Sequence, residues 1–137
     1  MKRRILLILS ILLVSTTFLA GQTTSDKREK RKNLTVKEWN TNAATKTRYL
    51  DHVTKYNADG YKIEEIEYAN YGQKSRVTYE YNENGKCIKE TEYDSRNKAV
   101  RIRKFEYYPD GSKKKQYNYN PSGKLETTKE FEYIFDK

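Results

Sequence analysis

From Tyr56 to the end, runs of 8 to 10 residues rich in aromatic and β-branched side chains alternate with short polar turns. The runs are Tyr61–Tyr68, Gln73–Tyr81, Lys86–Tyr93, Lys98–Tyr107, Ser112–Tyr119 and Lys124–Tyr133. They are of strand length and lack the 3.6-residue apolar spacing of a helix. Each closes on an apolar residue, Thr or Tyr, then a polar residue, then Tyr, as in Ile66-Glu67-Tyr68, Phe105-Glu106-Tyr107 and Phe131-Glu132-Tyr133. Alternate residues of a strand face opposite ways, so the Tyr and the residue two before it share a face while the Glu looks away. Ile63, Ile88 and Val100 fall out of this phase. Either bulges intervene there, or the second face is partly covered as well.

The turns repeat too. Tyr56–Gly60, Tyr68–Gly72, Tyr81–Gly85, Tyr93–Asn97, Tyr107–Gly111 and Tyr119–Gly123 fall 12 to 14 residues apart, and Tyr133 opens a seventh beat. Tyr56, Tyr81, Tyr107 and Tyr133 are spaced by 25, 26 and 26 residues. A fixed period implies a structural unit that packs on its neighbours. In Tyr108-Pro109-Asp110-Gly111 and Asn120-Pro121-Ser122-Gly123, Pro presets φ for a type I turn and Gly accepts the positive φ that closes it. Asn57-Ala58-Asp59-Gly60 and Asn82-Glu83-Asn84-Gly85 follow the same logic, and Asn97 replaces Gly in one unit. Turns this short make successive strands antiparallel. A degenerate first unit at Val36–Trp39, leading into Thr45–Tyr56, has the character of a capping repeat. The expected fold is all-β: an antiparallel β-meander of about seven or eight strands over residues 36–137.

Upstream, Lys2-Arg3-Arg4 precedes an apolar run from Ile5 to Leu19. That pattern predicts a signal peptide at residues 1–21, with Gln22 as the new terminus and no stable membrane span after cleavage. Export to the periplasm or the extracellular space is the expected localisation. Residues 22–35, with the run Asp26–Lys32, are expected to be a basic flexible linker.

The formal charge of +9 suggests nucleic acid until it is located. The leader and the linker carry most of it, and from Asn33 onward 20 bases meet 17 acids. So balanced a domain is no electrostatic funnel for phosphates, and no nucleic acid is expected as a partner. Within the domain Glu65, Glu67, Glu90, Glu92 and Glu106 alternate with Arg76, Arg101, Arg103 and Lys104, which predicts a cross-strand charge lattice.

The unit Tyr81–Ile88 (Tyr-Asn-Glu-Asn-Gly-Lys-Cys-Ile) resembles the YD repeat of RHS-type proteins, and Tyr56–Ile63, Tyr107–Ser112 and Tyr119–Leu125 match it more loosely. The resemblance spans residues 36–137 and implies tyrosine-glycine β-hairpins. In that family the hairpins wind into shells around a toxic C-terminal domain. This chain is too short to enclose cargo, so that activity is not implied. Small exported bacterial repeat proteins of unassigned function are the nearer analogy.

Catalytic chemistry is weakly signalled. His52 is the single histidine and Cys87 the single cysteine, so no His/Cys metal cluster, disulfide framework or nucleophile-base pair is expected, and no cofactor. Glu90 and Glu92 share one face but lack a signalled apolar pocket to separate their pKa values. The 13 tyrosines carry the remaining interest. Rings on alternate strands repeat at about 10 Å and could form the core or stack on a linear glycan. The ligand-contact candidates are Tyr68, Tyr93 and Tyr119, or Tyr81 and Tyr107. The expected role is a non-enzymatic structural or interaction module at the cell envelope, with an envelope polysaccharide or protein as partner. The alternative is a carbohydrate-binding module.

Overall fold

Each run expected to be a strand forms one. The computed structural model describes residues 24–136, so the expected leader at 1–21 lies outside the described residues. A short helix, α1 (Thr24–Glu29), precedes β1 (Thr35–Thr41), β2 (Arg48–Tyr56), β3 (Lys62–Ala69), β4 (Gly72–Tyr81), β5 (Cys87–Tyr93), β6 (Ala99–Tyr107), β7 (Lys113–Tyr119) and β8 (Leu125–Glu130). The strands lie side by side in chain order, every neighbouring pair antiparallel. Each strand contacts only its sequence neighbours, so the sheet neither closes into a barrel nor folds back on itself. The fold is an eight-stranded open meander, one layer thick.

The register explains the residues that broke the alternation. Lys55 pairs with Glu64 and Tyr56 with Lys62, which leaves Ile63 as an extra residue in β3. Ile88 is skipped in the same way between Glu80–Lys89 and Tyr81–Cys87, and Val100 between Glu92–Arg101 and Tyr93–Ala99. A bulge therefore precedes each of these repeat tyrosines. Ile63, Ile88 and Val100 remain exposed at 37%, 38% and 44%, so no second layer covers them.

Four of the turns are held by the side chain of the first residue after the tyrosine, whereas in the Gly111 turn Asp110 accepts from the Ser112 amide. The Asn57 side-chain carbonyl accepts from the Asp59 and Tyr61 amides, and the Asp94 carboxylate accepts from those of Arg96 and Lys98. Asn82 and Asn120 accept from Lys86 and Lys124. Gly60, Gly85, Asn97, Gly111 and Gly123 then take φ of 76°, 71°, 64°, 86° and 85°. The beat at Tyr68–Gly72 closes differently: Ala69 pairs with Gly72 across a two-residue loop, Asn70-Tyr71.

Residues paired across strands share a face, and the pairings sort the side chains into two sets. Val53, Ile66, Arg76 and Tyr93 form one row on what we term the front. Thr78, Thr91, Ile102 and Tyr119 form the next. Tyr79, Glu90, Arg103, Asn118 and Thr127 line the back. The core is thin: Val53, Ile66 and Phe105 are the buried apolar residues, joined by Thr54 and Thr91. Most of the remaining sheet is half-buried, its side chains shielded by neighbours on the same face.

Candidate functional site

The candidate tyrosines divide by strand direction. Even-numbered strands terminate at one end of the sheet and odd-numbered strands at the other, so the same motif is delivered alternately to opposite ends and opposite faces. Tyr81 and Tyr107 lie on the back at the end carrying the turns of Gly60, Gly85 and Gly111. Tyr68, Tyr93 and Tyr119 lie on the front at the end carrying Gly72, Asn97 and Gly123.

The first group is locked in place. Tyr81 donates its hydroxyl to the Lys62 carbonyl at 2.7 Å, and Tyr107 donates to the Cys87 carbonyl at 2.6 Å. Tyr133 repeats the contact on the Lys113 carbonyl at 3.0 Å. Each bond reaches back about 20 residues to the start of the preceding odd strand, which is why the 25- and 26-residue spacing is so regular. Tyr61 stacks on Tyr81 with centroids 4.9 Å apart and its hydroxyl against Gly85. Lys86, the equivalent residue one unit later, lies over Tyr107 and donates to the Gly111 carbonyl. Arg28 of α1 donates to the Tyr61 hydroxyl at 2.9 Å, and Arg31 sits over Tyr56. The basic segment read from sequence as a linker is thus folded onto this end by cation–π contacts.

The second group is held more loosely. Tyr93 lies 3.9 Å beneath the Arg76 guanidinium, which also donates to the Asn97 side chain and pairs with Glu64. Tyr119 lies beneath Lys104 at 5.2 Å. Among the described residues the hydroxyls of Tyr68, Tyr93 and Tyr119 have no hydrogen-bond partner in the chain. Beside Tyr119 the front carries a shallow depression of about 790 Å³, with Ile102, Tyr117 and Tyr119 among walls that include Lys89, Lys104 and Glu80. None of the five candidates ranks among the exposed large side chains, whereas Tyr71 does, at 69% on its two-residue loop.

The ionisable groups of the back are satisfied by one another. Arg103 donates to Glu90 and to Glu92, both at 3.2 Å, and Arg101 also reaches Glu92. His52 stands 3.9 Å from Glu65, which accepts from Lys62 and from the Tyr79 hydroxyl. Burial would raise the Glu65 carboxyl, but the Tyr79 and Lys62 hydrogen bonds outweigh it and hold the group below the usual range. Burial and the bond to Glu65 push Tyr79 well above the ordinary phenol. Burial pushes Tyr81 up to about 12, with the nearby Cys87 and Glu90 adding to it. The half-buried Cys87 thiol is likewise raised by burial, which keeps it protonated at neutral pH. Among the described residues no cluster of three or more metal-ligating side chains occurs, and no helix is long and apolar enough to cross a membrane.

No family model and no curated protein matches this chain. Among solved structures, a mutant of S. aureus TarM in complex with fondaparinux, α-GlcNAc-glycerol and UDP aligns over 71% of this chain and 22% of its own length. The identity is 16% and the TM-score 0.31. The chain therefore spans about a fifth of that protein, and a score at this level carries no argument about fold or activity.

Proposed function

We propose that this chain is an exported, non-enzymatic β-repeat protein of the YD/RHS style that works by contact, as a structural or interaction module at the cell envelope. The observation that carries the reading is the allocation of its polar chemistry to holding a one-layer sheet. Glu90 and Glu92, the best candidates for an acid–base pair, share the Arg103 guanidinium. Cys87 is kept as a thiol by burial. What such a sheet offers a partner is area and charge pattern. The test is fractionation followed by pull-down: the tagged protein should leave the cytoplasm and co-sediment with envelope material. Retention in the cytoplasm, or loss of glycoside hydrolysis in a Glu90→Gln variant of an active preparation, would overturn it.

A second reading, carbohydrate binding, is favoured by the front row, where the hydroxyls of Tyr68, Tyr93 and Tyr119 have no partner among the described residues and Tyr119 lines a shallow groove. A linear glycan could follow rings at about 10 Å intervals, displacing Lys104 from Tyr119. Quenching of tyrosine fluorescence by envelope glycans, abolished in Tyr119→Ala but not in Tyr107→Phe, is the expected result. Indifference to a glycan panel would remove this reading.

A further inference from the structure

The two edges of the sheet are complementary to each other. An even number of strands makes β1 and β8 run in opposite directions, so β8 of one molecule meets β1 of the next as an antiparallel neighbour with both faces in register. Hydrogen bonding fixes which residues point outward. The Phe131 amide donates inward to the Lys114 carbonyl, so Glu130 and Thr128 turn their backbone groups to the free edge. The Leu34 carbonyl accepts inward from Tyr56, so Thr35 and Lys37 do the same on β1.

We propose that the chain self-associates head to tail through these edges, with Glu130 opposite Lys37 and Lys129 opposite Glu38. In this register each pair shares a face. Glu130 and Lys37 lie on the front, through Lys115 and Val53. Lys129 and Glu38 lie on the back, through Gln116 and His52. The next pair along sets Phe131 against Val36. Slipping by two residues either way leaves at most one opposite-charge pair. The competing two-fold pairing of β8 with itself does worse. Centred on Thr128, Lys129 or Glu130, it opposes Glu126 to Glu130, Lys129 to itself or Glu130 to itself.

A second observation points the same way. Interior strands pair their charges across the ladder, from Lys55–Glu64 to Lys115–Glu130. Among the described residues the side chains of Lys37, Glu38 and Lys129 make no hydrogen bond or salt bridge, and every residue of β1 and β8 is exposed. The edges carry the same alternating lattice as the interior: Glu130 is already paired inward with Lys115, and the other three side chains lack a partner among the described residues. A head-to-tail contact of this kind is heterologous and propagates into open chains unless the curvature closes a ring. The proposal goes beyond the envelope reading and does not depend on it.

Sedimentation velocity of the purified protein over a concentration series, at low salt, is the test. The expected result is mass growing past the dimer with concentration and shrinking with added salt. Lys129→Glu or Glu38→Lys should each weaken association by roughly tenfold. The double variant E38K/K129E should recover it, as should mixing the two single variants. Thr128→Pro, which removes an outward amide without touching the β7 ladder, should abolish growth, and circular dichroism checks that it keeps its sheet. A monomer at every concentration overturns the proposal, as does a dimer that responds to K129E but ignores E38K. A monomer that still co-sediments with envelope material defeats the assembly alone. A self-assembling protein that ignores the envelope defeats only the functional reading above.

Discussion

The two ends of this sheet are built from the same five-residue phrase and hold themselves together differently. At the Gly60–Gly85–Gly111 end every turn is roofed by the unit before it: the α1 backbone at Arg28 covers Gly60, Tyr61 covers Gly85, and Lys86 covers Gly111. Tyrosine hydroxyls there are bonded to backbone carbonyls. At the other end Gly72 and Gly123 have open space around them, and the rings of Tyr93 and Tyr119 are each topped by a single cation. A one-beat motif has become a two-beat structure, because antiparallel strands deliver successive tyrosines to opposite ends. One end is cemented and the other is left adaptable.

The largest contrast should come from the glycines. Gly85 and Gly123 have φ of 71° and 85°, so alanine costs about 1–2 kcal/mol at either from the backbone alone. At Gly85 the added methyl also meets the Tyr61 ring, which its stack on Tyr81 keeps from moving. Gly85→Ala should therefore cost roughly 3 kcal/mol in urea unfolding, clearly more than Gly123→Ala. Equal costs would mean that the roof is not a structural element.

Hydroxyl deletion is a smaller and cleaner probe. Tyr81→Phe and Tyr107→Phe each lose a bond to a backbone carbonyl and should destabilise by about 1 kcal/mol. Tyr93→Phe and Tyr119→Phe lose none and should stay within about 0.5 kcal/mol of the parent. Shifts of equal size at both ends would erase the distinction.

The smallest effect is on the acid side. Burial would raise the Glu64 carboxyl, yet the hydrogen bonds from Lys55 and Arg76 hold it below its unfolded value of 4.5. Its contribution to stability is thus complete above about pH 4.5 and is lost as pH falls through the folded value. Glu64→Gln should lower the neutral plateau of a stability–pH curve and flatten its acid limb while leaving the turns intact. An unchanged acid limb would show that the pairs of Glu64 with Lys55 and Arg76 add nothing to the sheet.

The strands and turns were legible because their chemistry is local. Tyrosine followed by Asn or Asp and then by Gly writes a hairpin, and Asn97 in place of Gly85's counterpart obeys the same rule with φ of 64°. The bulges were legible only as a disturbance: Ile63, Ile88 and Val100 broke the alternation, and pairing across the ladder was needed to show each as an extra residue. The charge lattice was visible in outline, although the partner of Glu67 is Lys74 from its own hairpin. The docking of α1 had no sequence signal, since Asp26–Lys32 reads as a solvated run and its arginines find Tyr56 and Tyr61 only once the turns exist. The division of the tyrosines into two rows was within reach. It follows from strand direction and the 25- and 26-residue spacing alone. Which row is locked depends on Tyr61 and Lys86, residues that the motif leaves unspecified.

Site-resolved ionisation of the tyrosine hydroxyls, followed by NMR on ring-labelled protein between pH 9 and about 12.5, tests the division most directly. Burial raises the folded-state value of Tyr81 to about 12 against 10.0 when unfolded, so its stabilising contribution is intact below pH 10 and disappears as the pH climbs toward 12. The account predicts that Tyr81 keeps its proton after free tyrosine has ionised, and that the sheet unfolds in that same interval. A Tyr81 resonance titrating near pH 10 in a still-folded sheet would contradict it, because the cemented end would then be an exposed row of rings.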